Sequence, residues 1–480
     1  MRLLNCAVML AIGTALAGCN LAPDYVAPAT AVPPVLPQGG IYPAASTTVH
    51  DITQVGWRDF FIDERLRQVI ELGLDNNRDL RAAAANILQA EAQYHVQGAD
   101  LLPTIAASAS ATYTNNTLEA PDVPLASGTT GVGTVSNPVG AGYGADVGFS
   151  SFEVDLFGRV RNLSKAALER YLAAEEAQRS LRISLIAEIA TAWLRIASDE
   201  DQLALSRQTL DTYADTLKLT TAQFHIGAAF EVEPRQAEAN YYAARNDIAE
   251  IRTRIAQDRN ALDLLVGNTI EPALLPTALG DARPTIEALP TDLTSAVLLR
   301  RPDVMQAEHQ LIAQDANIGA ARAAFFPTIS LTAAVGTISP TLGGLFGRGS
   351  GTYIGSPAIS LPLFDGGRLR ADLDYSRASR DAAVATYQKT IQTAFREVAD
   401  ALAQRGTIDE RIAVQTARAN AAEAAAKLSD ARYRAGVQSF LPLLDAQRTA
   451  YATEEQLATT RFNRSSNSIE LYRSLGGGLN

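Results

Sequence analysis

The residues that could do covalent or ligand chemistry are few, and their spacing argues against catalysis. Four histidines, His50, His95, His225 and His309, are dispersed along the 480-residue chain with no pair at metal-ligand spacing. Neither of the two cysteines, Cys6 and Cys19, lies beside a histidine. No G-x-S-x-G nucleophile turn occurs. The glycine-rich "GGLFGRGSG" has no Lys-Ser or Lys-Thr after it, so it is not a phosphate cradle. Asp303 behind Pro302 reads as a helix start, where the fixed proline φ and the helix dipole favour that pair. These features imply no enzyme, no cofactor and no metal.

The cysteine that could react is Cys19. "MRLLNCAVMLAIGTALAGCN" has Arg2 as a positive start, an apolar run from Leu3 to Ala15, and small residues before Cys19. The run is shorter than the roughly 20 residues a spanning helix needs. Leu16-Ala17-Gly18-Cys19 resembles a bacterial lipobox, which implies that the Cys19 thiol takes a lipid as the first residue of the mature chain. Asn20, rather than an aspartate, then favours the outer membrane. With the signal (1–18) removed, no second thiol remains for a disulfide. The formal charge of −11 comes without basic clusters and makes nucleic acid a poor partner.

The chain repeats itself. Asp79 to Pro103 and Asp303 to Pro327 are equally spaced and frame "DLRAAAANILQAEAQYHVQGADLLP" and "DVMQAEHQLIAQDANIGAARAAFFP". "LFGRVRNLSKAALERY" pairs with "LFDGGRLRADLDYSRASR", and "FHIGAAFEVEPRQAEANYY" with "YRAGVQSFLPLLDAQRTAY". Three matched blocks in one order mean a duplication. Boundaries follow: an extended N-terminal segment (19–60), a first repeat (61–267), a linker (268–290), a second repeat (291–476) and a short tail (477–480).

Each repeat mixes helix and strand signals. Residues 163 to 225 contain neither glycine nor proline, and Tyr171, Ala174, Ala177, Leu181, Leu185, Ile189, Ala192 and Ile196 recur in steps of three or four. A helix of roughly 60 residues is about 90 Å long, more than a globular domain needs. The matching run, Leu369 to Ala435, has Gly406 as its one interruption. Strands are expected at about 103–116 and 142–157, and again at about 327–336 and 352–364, each pair joined by a Gly/Pro/Ser/Thr-rich loop. In the second strand Tyr143, Ala145, Val147 and Phe149 alternate, then the phase shifts to Phe152, Val154 and Leu156. Pro357 and Pro362 weaken the end of the fourth. Four strands cannot close in lipid, three copies would give twelve, and two would give eight with a filled interior.

"RRPDVMQAEHQLIAQDANIGAARAAFFPTISLTA", "YRAGVQSFLPLLDAQRTAY", "LYRSLGGG" and "GCNLAPDYVAP" resemble the outer-membrane efflux protein family, the TolC and OprM-like ducts, in its lipoprotein branch. The resemblance implies a mixed α and β fold of duplicated strand-pair and helical-hairpin units. It implies a homotrimer with a 12-stranded outer-membrane β-barrel continued by a periplasmic α-helical barrel. Implied partners are a periplasmic adaptor (membrane fusion protein), an inner-membrane transporter of the resistance-nodulation-division type, and outer-membrane lipid. A duct for type I secretion with an ABC transporter is the alternative.

The two hairpin turns, near 227 and 436, are then the tips that meet the adaptor, with Phe224, Gly227, Tyr433 and Gly436 as contacts. The resemblance makes Tyr433 a partner of the Glu233 carboxylate, and Asp445 one aspartate of a ring that narrows the lumen. Read plainly, Tyr433 is instead a capping aromatic and Glu233 a helix-start acid favoured by the dipole. Pro442 and Gln438 depart from the pattern of a second aspartate and a gate arginine. Leu441, Leu443 and Leu444 are candidates for an apolar constriction in their place.

Overall fold

The computed structural model describes residues 20–43, 55–114, 124–125, 129–130, 140–279, 284–286 and 294–477. Cys19, His50 and the signal lie outside them. The chain divides into two units, one with residues up to Ala29, Asn86–Glu175 and Gln306–Tyr387, the other with Thr30–Ala85, Glu176–Met305 and the rest from Gln388.

The principal elements are α1 (Glu64–Asn76), α2 (Arg78–Ala99), β1 (Ala106–Thr114), β2 (Gly140–Glu153), α3 (Arg159–His225), α4 (Val232–Val266), α5 (Pro302–Ala323), β3 (Thr328–Ser339), β4 (Gly351–Ser360), α6 (Arg368–Arg434) and α7 (Phe440–Ser474). The duplication is visible in their lengths: α2 and α5 both have 22 residues, α3 and α6 both 67, and α4 and α7 both 35. A 67-residue helix is about 100 Å long at 1.5 Å per residue.

In the first unit the four strands form one antiparallel sheet in the order β1-β2-β3-β4. Because side chains alternate, register sorts them into two faces. Tyr143 is opposite Ala111 and Ser339, and Val147 is opposite Ala107 and Val335, which in turn faces Tyr353. That face is apolar, and Val147, Val335 and Ile359 stand 48%, 65% and 72% exposed. The other face carries Ser108, Asp146, Thr332 and Ser356, with Ser108 Oγ 2.9 Å from Asp146 Oδ1. A sheet apolar on one side and polar on the other suits a barrel wall with lipid outside and water within.

Aromatic rings bound the apolar band. Tyr113 and Tyr143 meet edge to face at one end of the strands, and Phe157 stacks on Phe326 with centroids 4.7 Å apart at the other. The phase shift read between Phe149 and Phe152 is a register shift in the pairing of β2 with β3, and Ser151 there has φ 53°. β4 stops at Ser360, two residues before Pro362, which has no N–H to give a ladder. Residues following position 19 are held on α5: Arg322 Nη1 donates to the Leu21 carbonyl at 3.0 Å, and Tyr25 donates to Glu308 at 2.6 Å. A Cβ on Gly319 would lie 2.8 Å from Ala22 Cα, so only glycine admits that segment.

In the second unit, α1 starts at Asp63, whose carboxylate accepts from the N–H groups of Arg65 and Leu66. Its Leu66, Val69 and Ile70 are fully buried, and Phe60 stacks on Tyr472 at 4.1 Å. Arg301 is buried and bonds the Ser474 carbonyl, Asp303 and Glu397, so the start of α5 is fastened to α6 and α7. Gly406 is the one glycine within the second long helix, which continues through it. α6 runs through it because the bare Cα admits the backbone of Ile41, whose carbonyl oxygen would lie well inside contact distance of a Cβ.

Placing a charge on the apolar face should be costly. Val335→Arg is expected to lose about 2–4 kcal/mol of stability in lipid, measured by guanidinium unfolding from vesicles. Ser356→Arg, on the polar face, should change it little.

Candidate functional site

The two hairpin turns have the same backbone. The Ala228 N–H reaches the Gln223 carbonyl at 2.8 Å and the Gly227 N–H the Phe224 carbonyl at 3.0 Å. In the second turn Val437 reaches Arg432 at 3.1 Å and Gly436 reaches Tyr433 at 2.9 Å. Both are paired closures of a helix end around a left-handed residue, and Gly227 and Gly436 have φ 74° and 71°.

Side chains at equivalent positions go opposite ways. Phe224 is 39% exposed, whereas Tyr433 is 5% exposed and packs with Ala237, Phe440, Leu443 and Leu444. The Tyr433 hydroxyl lies 2.5 Å from Gln223 Oε1 and 3.1 Å from Glu233 Oε2. One phenol thereby ties the end of α6 to the end of α3 and the start of α4, while its ring meets Phe440 on α7 at 5.6 Å. Burial and the Glu233 carboxylate push the phenol well above its ordinary range, so it stays a donor.

Tyr433, expected among the adaptor contacts, is thus turned inward with its ring covered within the chain. Phe224, Gly227 and Gly436 are exposed, together with Ile226, Phe230, Val437 and Leu441. The leucines are corrected too. Leu443 and Leu444 are 0% and 3% exposed inside the protomer, so of the three only Leu441, at 65%, can face a lumen. Asp445 is exposed one residue past that buried pair.

Below the tip the helices are joined by polar pairs invisible to periodicity. Gln447 Nε2 donates to Thr216 Oγ1 at 3.0 Å, Arg448 Nη2 to Asn240 Oδ1 at 2.7 Å, and Ser206 and Tyr451 share a 2.8 Å bond. Further along, Asp199 of α3 accepts from Arg254 Nε of α4 at 2.9 Å, with the Asp258 carboxyl beside it. Burial, with the neighbouring Asp258 carboxyl, outweighs the Arg254 charge, and the Asp199 carboxyl is pushed up to about 6. Sequence reasoning missed this pair; the i and i+4 spacing of Arg254 and Asp258 on one helix face was the available signal. Among the described residues no helix is long and apolar enough to cross a membrane, and no group of three potential ligands could hold a metal.

The sequence profile of the Outer membrane efflux protein family matches residues 69–268 and 293–477. The antibiotic efflux pump outer membrane protein ArpC of Pseudomonas putida is 42% identical over 463 residues, 96% of this chain and 93% of that protein. The cation efflux system protein CusC of Escherichia coli O157:H7 is 36% identical over 469 residues, 97% of each. Among solved structures, a membrane protein from Pseudomonas aeruginosa superposes with TM-score 0.84 at 38% identity, covering 96% of this chain and 98% of that one. The open state of the Neisseria gonorrhoeae MtrE outer membrane channel does so with TM-score 0.83 at 34% identity, covering 96% and 99%.

The Asp199 carboxyl makes stability depend on pH. Its value is 3.8 unperturbed and about 6 folded, so the folded chain holds the proton more tightly. The stabilising contribution is full below pH 3.8 and is lost as pH rises through about 6. Asp199→Asn is expected to raise the unfolding temperature near neutral pH and to flatten its fall across that window. The check is thermal unfolding followed by circular dichroism; an unchanged pH slope would take Asp199 out of the titration.

Proposed function

The chain belongs to the outer membrane efflux protein family, and we propose that three copies of it form the conducting body, gated by the tip around Tyr433. Its place is the outer membrane and its function the exit duct of an efflux pump. The observation that carries the finer reading is the open four-stranded sheet, apolar on one face, whose edge strands β1 and β4 have no further strand partner among the described residues. An unpaired edge in lipid leaves backbone groups without partners, so the edges of neighbouring copies pair. Three copies give the twelve-stranded barrel, and their long helices the periplasmic tunnel. Lipid on Cys19 adds to the barrel's own hold on the membrane.

Solutes enter from a periplasmic adaptor and an inner-membrane transporter of the resistance-nodulation-division type. The names of ArpC and CusC, an antibiotic pump protein and a cation efflux protein, support small solutes over secreted protein. The exposed Phe224, Gly227 and Gly436 meet the adaptor. Tyr433 and Glu233 hold the closed tip, and Asp445 lends the constriction its cation preference. With Gln438 and Pro442 in place of a charged latch, closure rests on the buried phenol and its apolar pocket.

Photo-crosslinking from Val437 in living cells, with the captured protein identified by mass, tests this. A resistance-nodulation-division adaptor is expected; an ABC-type adaptor would move the function to secretion. In planar bilayers, Tyr433→Phe with Glu233→Gln removes a charge-assisted bond of about 1.5–3 kcal/mol, so open probability should rise roughly ten- to a hundredfold. An unchanged closed fraction would dismiss the latch. Asp445→Ala should lower cation over anion permeability at ~0.1 M salt, where screening leaves interactions within about 10 Å intact. Unchanged selectivity would remove Asp445 from the constriction.

A further inference from the structure

A cleft of about 750 Å³ opens in the second unit, away from the tip. Four guanidinium groups line it, from Arg58, Arg179, Arg182 and Arg300, against one carboxylate, Glu176. Two of the four are already neutralised: Arg58 pairs with Glu71 at 2.7 Å, and Arg179 with Glu176 at 2.6 Å. Arg182 and Arg300 have neither a hydrogen bond nor an ion pair among the described residues. Both are exposed and come from different segments, α3 and the turn that precedes α5.

The rest of the wall is apolar. Trp57, Ile183, Ile186 and Met305 line it, and the Arg58 guanidinium lies 4.5 Å over the Trp57 ring. Two free forks suit two planar anions, since guanidinium matches carboxylate in a two-point contact. An apolar wall in the same cleft suits an aliphatic or peptide stem better than a bare inorganic ion, which gains nothing from such a surface. The chain's net charge of −11 makes this positive cleft a local exception, not an extension of a general basic surface.

We propose that this cleft binds an acidic peptide bearing two carboxylates, one on Arg182 and one on Arg300, with its stem against Trp57 and Met305. The cleft shares no residue with the tip around Tyr433, Glu233 and Asp445.

The chain has two tryptophans, so indole fluorescence of the full-length detergent-solubilised protein reports binding; Trp57→Phe leaves Trp193 alone. The probe is acetyl-Glu-Leu-Ala-Glu-amide, with the Gln-Leu-Ala-Gln peptide and inorganic phosphate as comparisons. Saturable quenching by the acidic peptide is expected, lost with Trp57→Phe and weakened by salt. Arg182→Gln and Arg300→Gln should each weaken it at least tenfold. Arg182→Lys, which keeps the charge and loses the fork, should give a smaller loss. Circular dichroism of the variants should match the parent, because both side chains are exposed. Equal binding of the neutral peptide, competition by phosphate at the same concentration, binding indifferent to both substitutions, or no binding at all would each overturn the proposal.

Discussion

The open edge of a four-stranded sheet is the constraint on which the rest depends. β1 and β4 each present a row of backbone donors and acceptors with no strand partner among the described residues, and the sheet they bound is apolar on one side. In water such an edge is a liability; in lipid it is forbidden, because each unsatisfied group costs several kcal/mol. On the proposed function, other copies of the chain complete the sheet. The duplication supplies two strand pairs per chain, and each pair is followed by a 67-residue helix that turns back through a 35-residue one.

Duplication set the two halves alike, and the tip shows where they parted. Gly227 and Gly436 close their turns with the same pair of backbone bonds, yet the aromatic three residues earlier is exposed in one repeat and buried in the other. The difference follows from what each ring can bond. A phenylalanine in a pocket beside Gln223 and Glu233 would offer those acceptors no proton, while a tyrosine directs its one hydroxyl proton at them and fills the space. One hydroxyl so placed joins both hairpins of the protomer, and its removal leaves the helical backbone untouched. That is the property a releasable tie needs.

Much of this was legible in the residues. The absence of glycine and proline from 163 to 225 marks α3, and the alternation that slips after Phe149 marks the bulge. The carboxyl near Tyr433 was legible through family resemblance alone. What stayed hidden has one physical origin: apolar period identifies a helix, but not which neighbour covers which face. Leu443 and Leu444 read as lumen-lining and are buried instead under Tyr433 and Phe440. That Gly406 is where Ile41 lies against the helix is not readable from its neighbours in sequence either. Arg301 reaches Glu397 and Ser474 from a distant segment, and no local pattern encodes those contacts.

Closure of the sheet across copies is the claim everything else stands on, and counting the copies tests it most directly. Native mass spectrometry of the protein extracted from outer membranes should give three chains per particle, hence twelve strands. A particle of two chains, whose eight strands leave no lumen, or a stable single chain with its edges open, would contradict it.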